Sequence, residues 1–409
     1  MEPVPVSVVV VSRARPRWLA RCLTGIAQLD HRPFEVVVVA CPAGCEAVRA
    51  HPKADEIKLV AYDQDNISAA RNRGIAAAAG EIVAFIDDDA VPEPSWLSRL
   101  TAPFEHEEVA AVGGYVIGRN GFSLQWGAGT VDASGERRAL SLEGEEPVTL
   151  HPQNDRAIKT EGTNMAVRRS ILAEMGGFDP AFRFYLDETD LNLRLAARDH
   201  ATALAPMARV HHGVAESARR AADRTPRDLH EIGASKMVFL RKHIAPDEHK
   251  RALARFRAEQ KARLLRAMRD GPLDAGDVFR IMRSLDAGIA EGAGRDLPRM
   301  SALPAASEGF RPFTARPGAK HRIHAGRSWV RQRLEDEARA AVIAGETATV
   351  LSLSPTALFH TLRFGEDGIW RQIGGQYGRA ERSGPLFRLA TLKRRIALEG
   401  RRLSKFRNV

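Results

Sequence analysis

The sequence predicts an α/β protein, with a mostly parallel sheet flanked by helices and a mainly helical C-terminal region after it. Three observations carry that expectation. Continuous β-branched apolar runs recur at 6–11, 34–40, 57–62 and 81–86, the pattern of strands buried on both faces. Helical patterns alternate with those runs, as βαβ units require. Beyond about residue 245 the chain turns helical and basic, as in "DEHKRALARFRAEQKARLLRAMRD".

Each element has its own signal. "VSVVVV" opens the sheet, and "PRWLARCLTGIAQL" (16–29) follows with Leu19, Leu23, Ile26 and Leu29 at helical spacing. "FEVVVVA" and "IKLVAY" supply the second and third strands. "SAARNRGIAAAAG" (68–80) reads as a helix capped by Ser68 and closed by Gly80. "EIVAFI" is the fourth strand. From 105 to 165 the pattern loosens into short strands and glycine turns, and 161–199 forms a second compact region. A Pro/Gly/Ser-rich linker is expected over 294–319, then a helix (327–344), a strand (348–353) and a final basic helix.

The 409 residues suffice for two domains or one large domain with an appendage, and 44% hydrophobic content supports a real core. No apolar run reaches the roughly 18 residues a membrane-spanning helix needs. The start "MEPVPVSVVVVS" lacks the pattern of a secretory signal. Cys22, Cys41 and Cys45 are too few for a disulfide framework, so a cytoplasmic location is the expectation. The net charge of +10 favours anionic partners. Its excess lies late, with nine Lys or Arg in 381–409 against Glu381 and Glu399.

The stretch "EIVAFIDDDAVPEPSWL" (81–97) places Asp87, Asp88 and Asp89 at the carboxyl end of a buried strand. Ligands of parallel sheets collect there. Like charges so close need a positive partner. In extended backbone Asp87 and Asp89 share a face and Asp88 points away. Two carboxylates at a ligand edge suit a hard divalent cation; the competing reading is an acidic turn before a helix.

The blocks "VSVVVVSRARPRWLARCLTGIAQL", "NISAARNRGIAAAAGEIVAFIDDDAVPEPSWL", "GTNMAVRRSILAEMGGFDPAFRFYLDETDLNLRL" and "ARVHHGVAES" resemble, in order and spacing, those of family 2 glycosyltransferases with the GT-A fold. The resemblance covers about residues 4–243. It implies a catalytic domain over 1–243, leaving 244–293 as a helical extension, 294–319 as linker and 320–409 as a basic accessory region. It implies an inverting transfer of a sugar from a nucleotide-diphosphate sugar to an acceptor hydroxyl. A divalent cation, Mn²⁺ or Mg²⁺, would bridge the acidic motif and the diphosphate. Asp89 is then the first-choice metal ligand, with Asp87 in the metal shell or on the donor, and His211, preferred over His212, completing the coordination. Glu188 or Asp187 is the general base, the order being swapped from the family's usual Glu-Asp, and Asp190 caps the helix or orients acceptor. Ser12, Asp65, Asn66, Arg71, Asp88 and Asn164 are the implied donor contacts. Gly176 and Gly177 make the sharp entry to the acidic block. The family's second-strand acid is missing, with Ala40 and Cys41 in its place.

Two other readings stand beside this one. A nucleotide-sugar binding module without chemistry would explain the missing acid. A membrane-surface scaffold would use the final helix, whose Leu389, Leu392, Ile396 and Leu403 line up among basic residues. Glycan, lipid-linked and protein acceptors all fit the sequence, and no nucleic-acid module accompanies the charge.

Overall fold

The computed structural model describes residues 4–213, 215–316 and 318–409. Four parallel strands appear where the apolar runs lie: β1 (Val6–Ser12), β2 (Phe34–Ala40), β3 (Ile57–Ala61) and β4 (Ile82–Asp87). Parallel neighbours need crossovers, supplied by α1 (Pro16–Ile26), α2 (Pro42–Arg49) and α3 (Ile67–Ala77). α3 is capped by Asn66 rather than Ser68; the Asn66 side chain accepts from Ala69 N at 2.9 Å, while Ser68 Oγ donates to Phe182 O.

The chain then turns back through β5 (Ala90–Pro92), α4 (Trp96–Thr101), β6 (Val109–Ile117) and β7 (Leu124–Trp126). Short strands follow at β8 (Gly129–Asp132), β9 (Arg137–Ala139), β10 (Val148–Leu150) and β11 (Arg156–Ile158). β12 (Asn164–Arg168), α5 (Arg169–Glu174), α6 (Asp187–Ala196) and β13 (Ala201–His212) complete this region. The main sheet has the order β10-β13-β6-β12-β4-β1-β2-β3, with β5 on β13 and β7 on β6.

The expectation of a mostly parallel sheet is corrected. β12 inserts antiparallel between β4 and β6, and β10, β5 and β7 are antiparallel too, so the sheet is mixed. Apart from β5, the antiparallel strands come from the 105–168 stretch, whose short strands and turns carry little period.

α7 (His230–His243) is followed by α8 (Pro246–Arg269) and α9 (Ala275–Gly294), which occupy the stretch expected as a helical extension. α9 lies tight on α7 because Gly288 has no side chain: a Cβ there would fall 1.9 Å from His230 O. The segment read as a linker straps across the main sheet. Arg311 N donates to Glu35, Phe313 N to Phe34 O, and the Phe313 ring packs 5.6 Å from Phe34.

The mainly helical C-terminal region is likewise corrected. Beside α10 (Arg331–Ile343) and α11 (Leu392–Leu403) stands a four-stranded sheet. Its strands are β14 (His321–Arg327), β15 (Thr347–Ser354), β16 (Thr361–Phe364) and β17 (Ile369–Gly375), ordered β14-β15-β17-β16. Only β15 carries a continuous buried run; "HRIHAGR" and "IWRQIGG" mix polar, glycine and apolar residues, which hides their strand character.

One buried ion pair ties this sheet to the main one. Arg407 Nε and Nη2 donate to the two carboxylate oxygens of Glu93 at 2.8 and 2.9 Å, and Arg407 Nη1 donates to Thr349. The guanidinium lies 4.1 Å over the Trp370 ring and its side chain is fully buried. Breaking a buried pair from one side strands the other charge. Arg407→Ala should therefore lower the unfolding free energy by about 3–5 kcal/mol in chemical denaturation; a loss under about 1 kcal/mol, the range of an exposed pair, would show the contact is not structural.

Candidate functional site

The three adjacent aspartates are buried or half-buried at the end of β4, and positive groups from distant segments surround them. Ser12 Oγ, at the end of β1, donates to Asp88 Oδ2 at 2.7 Å. Ala14 takes a left-handed φ of 58°, and the next residue, Arg15, places Nη1 3.2 Å from Asp88 and 3.1 Å from Asp89. Asp89 also receives Ala215 N at 2.7 Å, with His212 Nε2 3.1 Å and Arg220 Nη2 3.4 Å away. Burial and the neighbouring Asp89 push Asp88 up to about 7 despite Arg15. Burial would raise Asp89 as well, but His212 and Arg15 hold it well below the usual carboxylate range.

A carboxylate oxygen each from Asp87 and Asp89 and a ring nitrogen of His212 lie within 4.8 Å of one another. Two oxygens and one imidazole nitrogen suit a divalent cation. His211, the residue favoured from sequence, is turned away. β13 alternates faces, and β5 folds back along it with Val91 opposite His211 and Ala90 opposite His212. His211 Nε2 sits 2.8 Å from Glu93 and its ring meets Trp370 edge-on, so it belongs to the Arg407 network. His212 instead faces Asp89, with Gln125 Nε2 3.1 Å from its other ring nitrogen and Trp126 beside the ring.

The second acidic cluster opens α6. Gly176 and Gly177 both have positive φ, 76° and 72°, as the expected sharp entry requires. Tyr185 and Leu186 are also left-handed, at 76° and 66°, a costly backbone for large side chains. That turn delivers Asp187 to Arg71, whose Nη1 donates to it while Nη2 lies 3.4 Å from Asp87 Oδ1. Arg71 thus joins the two acidic clusters. Glu188 takes Lys159 Nζ at 2.9 Å. Burial and the adjacent Glu188 raise Asp187 to about 7 against the pull of Arg71. Burial acts on Glu188 too, but Lys159 overcomes it and holds Glu188 down to about 2.

Other expected residues sit elsewhere. Asp190 is fully buried among Arg194, Lys242 and His243 and anchors α6 to α7, away from the cavity. Asn164 is fully buried: Nδ2 donates to Tyr115 O and Ala208 O, and Oδ1 accepts from Trp96 Nε1. Asp65 and Asn66 do border a cavity of about 430 Å³ that also reaches Ser12, Arg15, Tyr62 and Arg219. Asp65 is paired with Arg219 and lies 3.6 Å from Arg13, while Asn66 is occupied as the α3 cap. Arg15, Lys159, Arg219 and Arg220 escaped the sequence reading, because isolated basic residues in loops carry no period; only the demand for charge partners pointed to them.

Residues 3–229 match the family model described as glycosyltransferase like family 2. A glucosyl-dolichyl phosphate glucuronosyltransferase of Haloferax volcanii is 28% identical over 181 residues, 42% of this chain and 56% of the relative. The O-antigen biosynthesis protein RfbC of Myxococcus xanthus is 28% identical over 240 residues, 54% of this chain and 18% of the relative. Among solved structures, S. aureus TarS 1–349 in complex with UDP gives a TM-score of 0.42 at 16% identity, covering 62% of this chain and 70% of that one. The chain thus spans about half the length of the first curated relative and under a fifth of the second. With more than half its residues inside the family model, the chain belongs to the family-2-like glycosyltransferases.

Proposed function

We propose that the chain transfers a sugar, with inversion, from a nucleotide-diphosphate sugar to an acceptor hydroxyl. The observation that carries this reading is the grouping of Asp87, Asp89 and His212 ligand atoms beside a nucleotide-sized cavity in a family-2 chain. These three residues would hold Mn²⁺ or Mg²⁺, which when bound offsets charge on the departing diphosphate. Arg15 and Arg219 line the same cavity and add positive charge where the diphosphate would lie.

On the acceptor side, Asp187 and Glu188 act as a pair. Asp187 is buried with the half-buried Glu188 beside it, and burial and the Glu188 charge raise the Asp187 carboxyl, so Asp187 is the member that takes the proton from the acceptor hydroxyl. Lys159 and Arg71 hold the two carboxylates apart in charge state: Glu188 stays ionised, and Asp187 titrates near neutrality, where a general base works best. The curated relatives act in lipid-linked and O-antigen glycan synthesis by name, which favours a glycan or lipid-linked acceptor over a protein. The binding-module reading rests only on the missing second-strand acid, at Ala40 and Cys41.

Two measurements test this reading. With Mn²⁺ and a panel of nucleotide sugars, the wild-type chain should release nucleoside diphosphate slowly, and Asp89→Asn should cut that rate by about 100-fold or more. Binding without release by the wild type, across acceptors, would favour the module. In pH profiles of kcat/KM, the base must be unprotonated to act, so activity should rise with pH and level off above about 7. Asp187→Asn should displace that limb to lower pH; an unchanged limb in this variant would remove the pair from the chemistry.

A further inference from the structure

The final helix does not offer the free apolar stripe that its sequence promised. Arg395, Glu399 and Leu403 of α11 are buried against the C-terminal sheet, where Glu399 accepts from Gln372 and Arg395 reaches His360. The exposed apolar surface lies instead in two loops at one end of that sheet. Leu358 and Phe359, between β15 and β16, are 64% and 47% exposed; Leu386, Phe387 and Leu389, between β17 and α11, are 65%, 51% and 78% exposed. Single exposed leucines are ordinary, but a cluster of five is not.

The backbone binds the two loops together. Tyr377 N donates to Thr356 O at 3.0 Å and His360 N donates to Arg379 O at 2.9 Å, while within the second loop Arg388 N donates to Tyr377 O at 3.0 Å and the Tyr377 and Phe387 rings stack at 5.5 Å. Cations surround the cluster. Arg379 and Arg382 lie 5.3 and 5.1 Å over the Phe359 ring. Arg388, Lys393 and Arg394 are exposed, and the described residues provide them no carboxylate partner.

We propose that these loops form a docking surface for an anionic lipid bilayer, with the apolar tips entering the headgroup region and the cations meeting lipid phosphates. Charge selects this occupant over a second copy of the chain, since each face sets five cations against the single carboxylate of Glu381 and two such faces would repel. The surface also has a fixed relation to the candidate site. β16 starts directly after these tips, and its Leu362 and Phe364 pack with Val91, which pairs with His211 next to His212. A bound bilayer would therefore sit one short strand from the candidate cation ligands, a placement suited to an acceptor carried on lipid.

The test is co-sedimentation of the full chain with vesicles of phosphatidylcholine alone or of equimolar phosphatidylcholine and phosphatidylglycerol. The wild type should bind the anionic vesicles and not the neutral ones. Charge reversal by Arg388→Glu with Lys393→Glu should weaken binding at least tenfold, each cation being worth about fivefold near such a surface. Phe387→Ser with Leu389→Ser should weaken it to a similar degree. Asp89→Asn should bind vesicles as the wild type does, so that loss of transfer and loss of docking are told apart. Absence of wild-type binding, equal binding to neutral vesicles, or undiminished binding by both double variants would overturn the proposal. So would a dimer in sedimentation equilibrium that Phe387→Ser dissolves.

Discussion

Burying carboxylates beside one another is tolerable only when cations are buried with them, and this constraint organises the chain around its candidate site. Asp88 and Asp89 are met by Arg15, with His212 and Arg220 also at Asp89. Asp187 is met by Arg71, Glu188 by Lys159, Asp190 by Lys242 and Arg194, and Glu93 by Arg407. Apart from Arg194, which shares a helix with Asp190, the partners come from segments distant in sequence, so those pairs also pin one part of the fold to another. The desolvation such pairs suffer makes them weak contributors to net stability. Those at the Asp87–Asp89 and Asp187–Glu188 clusters are better understood as positioning.

Positioning has its own backbone cost. Left-handed φ at Ala14, Tyr185 and Leu186 falls in the two turns that deliver Arg15 and Asp187 to the acids. Non-glycine residues are held in that region only where the surroundings over-determine them. Here the surroundings are the ion pairs themselves. Gly162 fits the same pattern: a Cβ there would fall 2.5 Å from the Arg71 guanidinium, so the arginine linking both clusters packs directly on backbone.

The parallel half of the main sheet was legible because strands buried on both faces read as nearly unbroken apolar runs, and Val6–Ser12, Phe34–Ala40 and Ile82–Asp87 do so. The inserted antiparallel strands and the C-terminal sheet were not, since half-exposed strands such as His321–Arg327 alternate weakly and carry basic residues. At the site, residue types were legible and facing was not. A histidine pair at a strand end leaves a one-residue ambiguity that only pairing with Ala90–Pro92 resolves. Asn164, implied as a donor contact by the resemblance, spends its side chain on buried carbonyls and an indole. The cations that balance the acids were foreseeable as a need and invisible as positions.

The most direct test of the account is calorimetric titration of Mn²⁺ into the wild type, Asp89→Asn, His212→Ala and His211→Ala. The charge-compensated edge should take up one ion per chain, and Asp89→Asn and His212→Ala should each weaken uptake by about tenfold or more, at least what losing a ligand's hydrogen-bond partner costs. His211→Ala should retain most of the affinity. Tight binding that survives both Asp89→Asn and His212→Ala, or no binding by the wild type, would mean that the aspartates are balanced by the chain's own cations and by nothing else.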